Sequence, residues 1–143
     1  MDDVRLVLDT GVVVAAMRSP TGASAAILRA VRRGQATLLL SVPLALEYEA
    51  VCRRAEHRLE SGLSMREVEI FLDAVVALAE EVETFFLWRP QLRDPNDEMV
   101  LEAAVNGRTD LLVTFNLRDF GAAPERFGLE ALLPREALAR IRR

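Results

Sequence analysis

Asp9, Glu47, Asp97 and Asp119 each fall at the edge of an expected element or on an apolar helical stripe. A carboxylate is costly to bury in such places unless something binds it. Four of them in one short chain point to a divalent metal site. The chain has one histidine and one cysteine, so imidazole or thiolate cannot supply most ligands. An all-oxygen site favours hard ions such as Mg2+ or Mn2+, one or two of them, and such ions most often serve phosphate chemistry. All 18 basic residues are arginine. A guanidinium stays protonated and grips phosphate through two parallel hydrogen bonds, although arginine usage could equally reflect genome base composition.

These side chains must be positioned by a modest scaffold. At 143 residues and 51% hydrophobic composition, residues 1–143 are expected to form a single domain with a sizeable aliphatic core. Cys52 has no partner, so no disulfide framework or cysteine-rich zinc site is possible, which fits a reducing compartment such as the cytoplasm. The longest uncharged run, Gly34 to Leu46, is shorter than a membrane span requires, and neither an anchor nor a signal peptide is expected. The net charge of −4 argues mildly against a polyanionic partner. Setting the four singled-out carboxylates aside leaves acids and bases balanced, so local patches matter more than the total.

Val4 to Leu8 reads as a buried strand entering a turn at Asp9-Thr10-Gly11, with a helix beginning near Val12. Ala23 to Arg33 is a helix with Ile27, Leu28 and Val31 on one face, ended by Gly34, and Ala36 to Leu40 is a second strand. Ser41 and Pro43 open a helix reaching about Arg54. Glu56 to Gly62 reads as polar connector. Ser64 and Glu67 form a capping-box pattern for a helix to about Glu81, and Val82 to Leu87 reads as a third strand. Asp94-Pro95 caps a helix that Asn106-Gly107 stops. Asp110 to Thr114 is a fourth strand, Leu129 to Leu132 a candidate fifth, and Pro134 starts a final helix. Alternating strands and helices imply an α/β fold: a three-layer sandwich around a mostly parallel sheet of four or five strands.

Each candidate has a plainer explanation. Asp9 could simply cap the following helix, and Glu47 could sit on a solvated helix edge, although it shares the inward stripe of Leu44 and Val51. Asp97 stands where a capping-box acid would, yet also shares a face with Val100, Leu101 and Ala104. The stretch Thr114 to Phe120 could be an ordinary Asn/Asp turn. His57 reads as a solvated surface residue. Trp88 could stack on a base, but core or edge packing is the plainer reading.

In this order, the residues resemble the PIN-domain family of metal-dependent ribonucleases, and within it the bacterial toxin components of toxin-antitoxin pairs. The resemblance spans nearly the whole chain. It rests on Val7-Leu8-Asp9-Thr10-Gly11-Val12, Leu46-Glu47-Tyr48-Glu49-Ala50-Val51, Asp94-Pro95-Asn96-Asp97-Glu98 and the run Leu112 to Phe120. It implies hydrolysis of RNA with Asp9, Glu47, Asp97 and Asp119 as catalytic metal ligands, and Thr10, Asp94, Thr114 and Asn116 supporting them. Arg18, Arg53, Arg54 and Arg118 are candidates for guiding the substrate backbone. An antitoxin partner and a homodimer are implied by the resemblance alone. Two departures matter: Gly11 stands where the family commonly has asparagine, and Asn116 where many members have aspartate. They leave open a weakened module that binds RNA or protein without cleaving.

Overall fold

A computed structural model describes residues 3–85 and 91–143. The elements follow in order: β1 (Val4–Leu8), α1 (Thr10–Arg18), α2 (Ala23–Arg32), β2 (Ala36–Leu40), α3 (Val42–Cys52), α4 (Ala55–Ser61), α5 (Met65–Leu78) and β3 (Glu80–Glu81). Then come α6 (Pro95–Asn106), β4 (Leu111–Val113), α7 (Leu117–Phe120), α8 (Ala123–Arg126), β5 (Glu130–Leu132) and α9 (Pro134–Ile141). The five strands form one sheet in the order β3-β2-β1-β4-β5, with every pairing parallel. The expected α/β architecture is therefore present, with five strands.

Central strands read as continuous aliphatic runs because both faces of the sheet are covered. Leu6, Val7 and Leu8 on β1, Leu38 and Leu39 on β2, and Leu111 to Val113 on β4 are all buried. The chain adds β2 and β3 to one side of β1, then returns through α6 to place β4 and β5 on the other. Right-handed crossovers place a returning helix on the sheet face opposite the helices of the outward path. Accordingly α6 packs across β1, β2 and β4, while α2 packs with α5 and α9. The direction of winding reverses between β1 and β4, and a crevice opens beyond the carboxyl ends of strands at such a point.

Several expectations are corrected in detail. The third pairing falls on Glu80–Glu81, two residues ahead of the expected start at Val82; Val82 continues it with one bond to the Leu40 carbonyl, while 83–85 form no strand and 86–87, like Trp88, lie outside the described residues. The supposed connector is the helix α4, ended by Gly62 in the left-handed conformation at φ 74°. Its His57 is half-buried rather than a freely solvated surface residue: the side chain is 17% exposed, with Nε2 3.7 Å from the Glu56 carboxylate. The capping box of α5 forms as expected, with Ser64 and Glu67 exchanging hydrogen bonds. Among the described residues no single helix is long and apolar enough to cross a membrane.

Candidate metal and nucleic-acid site

Asp9 follows β1 directly and caps α1, so the strand's end and the helix's start fix its place. Its backbone N–H donates to the Val113 carbonyl at 2.9 Å, which ties it to the end of β4. Both carboxylate oxygens are engaged: Thr10 N donates to Oδ1 at 2.8 Å and Thr114 Oγ1 donates to Oδ2 at 2.7 Å. Thr114 is fully buried and Asp9 is 8% exposed. Burial raises the proton affinity of Asp9 above the ordinary carboxylate value; the two hydrogen bonds oppose it without cancelling it, and the charges of Asp119 and Asp94 add to the rise.

Asp94 caps α6 through a bond from Asn96 N at 2.9 Å, with Pro95 opening the helix, and this sets Asp97 one turn in. Asp97 is half-buried. Its pKa rises to about 6, first through desolvation and then through the charges of Asp9, Asp94, Asp119 and Glu98. Asp119 arrives from β4 by way of Asn116, whose N–H donates to Thr114 Oγ1 at 2.9 Å, and α7 holds it exposed at the mouth. Thr114 thus links the buried Asp9 carboxylate to the segment that carries the exposed Asp119.

The fold gathers Asp9, Asp94, Asp97 and Asp119, four negative charges that act on one another. Glu47 sits half-buried on α3 beside Tyr48, whose hydroxyl donates to the Leu8 carbonyl. Its charge is not among those acting on Asp9 or Asp97. The donor set is hard oxygen throughout, and its mutual repulsion would be relieved by a divalent cation, so the chemistry fits such an ion. As the side chains stand, no three Asp, Glu, His or Cys converge on a point among the described residues.

A cavity of about 550 Å³ beside the carboxylates is lined by Asp94, Asp97 and Asp119 and by Arg93, Arg118 and Arg126. Of the four arginines singled out from sequence, Arg118 lines it. Arg18 and Arg53 pair with Glu60 at 3.4 Å and Glu69 at 3.9 Å, and Arg54 is the exposed residue preceding α4. Sequence reasoning missed Arg93, Arg126 and Glu98. Glu98 is 2% exposed, and its Oε1 accepts from the N–H groups of Gln91 at 2.5 Å and Leu92 at 2.7 Å. An acid directly after Asp97 in a helix's first turn was the available signal, but a capping role absorbs it.

No curated protein matches the chain. The family model described as PIN domain matches residues 5–118, a stretch that begins on β1 and runs through Asp9, Glu47 and Asp97 into α7. On that match, the chain belongs to the PIN-domain family, whose members are generally nucleases.

Proposed function

We propose that this protein is a divalent-metal-dependent ribonuclease that hydrolyses RNA phosphodiester bonds and serves as the toxin of a bacterial toxin-antitoxin pair in the cytoplasm. The observation that carries the reading is the set of mutually repelling carboxylates at the winding reversal of the sheet, with Asp9 buried and Asp97 raised to about 6. Asp9, Glu47, Asp97 and Asp119 are the residues that would hold one or two Mg2+ or Mn2+ ions. Bound there, such ions activate water and stabilise negative charge on the phosphate. The chain's own part is orientation: Thr10 and Thr114 lock the Asp9 carboxylate, and Thr114 also fixes the backbone at Asn116. The antitoxin partner and a homodimer rest on family resemblance.

A second reading, a PIN-like module that binds RNA or protein without cleaving, is favoured by the lack of convergence of three acids among the described residues. Space is not the reason for glycine at position 11, since a Cβ there meets nothing within 4 Å. The departure there leaves a polar group missing from an open position. Incubation with RNA in manganese separates the readings. The ribonuclease cleaves, loses cleavage on chelation, and loses it in Asp9→Asn while thermal unfolding stays unchanged or rises, because a repelled buried charge is removed. RNA bound under chelation but never cut in manganese establishes the second reading. Undiminished cleavage by Asp9→Asn places the activity elsewhere or in a contaminant.

A further inference from the structure

Six charges line the cavity beside the carboxylates: Asp94, Asp97 and Asp119, and Arg93, Arg118 and Arg126. None of the six forms an ion pair among the described residues, whereas Arg5, Arg18, Arg53 and Arg140 each pair with a glutamate. Three arginines without an ion-pair partner among the described residues therefore line one concavity. That is the arrangement for an anionic ligand with several oxygens, and a guanidinium fork matches phosphate.

The wall carrying two of them is held from below. Glu98, buried in the first turn of α6, accepts the N–H groups of Gln91 and Leu92 and so fixes the backbone leading into Arg93. Gln91 Oε1 in turn accepts from Arg126 Nη2 at 3.2 Å, which brings α8 to the same wall. A bond to a neutral amide orients Arg126 without neutralising it.

We propose that Arg93, Arg118 and Arg126 form a subsite for the phosphate groups of an RNA strand flanking the position of cleavage, with Gln91 as the positioning residue for Arg126. The identity of the strand rests on the ribonuclease reading. Binding of a short fluorescent single-stranded RNA, followed by anisotropy across a salt series with metal chelated, tests it without turnover. Alanine at Arg93, Arg118 or Arg126 should each weaken binding about fivefold regardless of sequence and lower the slope of log affinity against log salt by about 0.7. Arg140→Ala, which removes a guanidinium paired with Glu130 at 2.7 Å, should leave both unchanged. Gln91→Ala should weaken binding, and its loss should not add to that of Arg126→Ala, because one acts through the other. Unchanged slopes in all three arginine variants with wild-type circular dichroism, or no RNA binding by the wild type, overturn the subsite. Reduced slopes without any manganese-dependent cleavage keep the subsite and sink the nuclease. Normal cleavage with unchanged slopes does the reverse.

Discussion

At Asp97, burial and four neighbouring acids act in one direction and carry the pKa to about 6 from an ordinary 3.8. Between those values the folded protein holds a proton that the unfolded chain has lost. Its contribution to stability is therefore present in acid and disappears as pH rises through 6; Asp9, also raised, acts with the same sign. In chelator, the wild type should gain thermal stability relative to Asp97→Asn as pH falls from 7 towards 4, measured by scanning calorimetry. Parallel pH profiles for the two proteins would show that Asp97 is not under this repulsion. Asp97 could be singled out from sequence because a carboxylate sharing a helical face with Val100, Leu101 and Ala104 is anomalous wherever the chain goes. Arg93 and Arg126 could not, since an arginine on a polar segment looks the same facing a cavity or bulk water.

The elements were legible where they bury a patterned face. β1 and β2 match their expected bounds, and α6 begins at the proline that follows its aspartate cap. β3 escaped notice because it is a two-residue edge strand of exposed glutamates; backbone pairing alone defines it, and hydropathy says nothing about backbone pairing. α4 escaped because it buries no residue fully, so it has no apolar stripe to read. Gly107, expected only to stop α6, does more. Its φ is −81°, so conformation does not demand glycine, but a Cβ would stand 2.9 Å from the Ala103 carbonyl and close to Val82 and Leu39. Gly107→Ala should cost about 1 to 3 kcal/mol in a denaturant melt through this overpacking. A neutral result would mean that α6 can move off β2 freely.

At the scale of the molecule, the aliphatic core closes over Cys52, which is fully buried, and burial pushes its thiol up to about 11. A thiol held protonated and out of reach reacts only when the fold opens. Labelling with an aromatic disulfide reagent at pH 8 should be slow in buffer and complete in denaturant. Rapid labelling under native conditions would show that the end of α3 frays locally.

The amino-acid sequence by itself determined the α/β class and most helix starts and stops, and it nominated the four carboxylates as candidates. All of these depend on neighbours within a few turns of chain. Only the tertiary structure decided the strand order, and with it the reversal between β1 and β4 that sets Thr114 against Asp9 across 105 positions. It also decided which arginines meet the carboxylates and which are used up in ion pairs, and it left Glu47 outside the set that acts on Asp97. Those outcomes depend on how distant segments share one buried sheet, a free energy summed over the whole core and written in no local pattern.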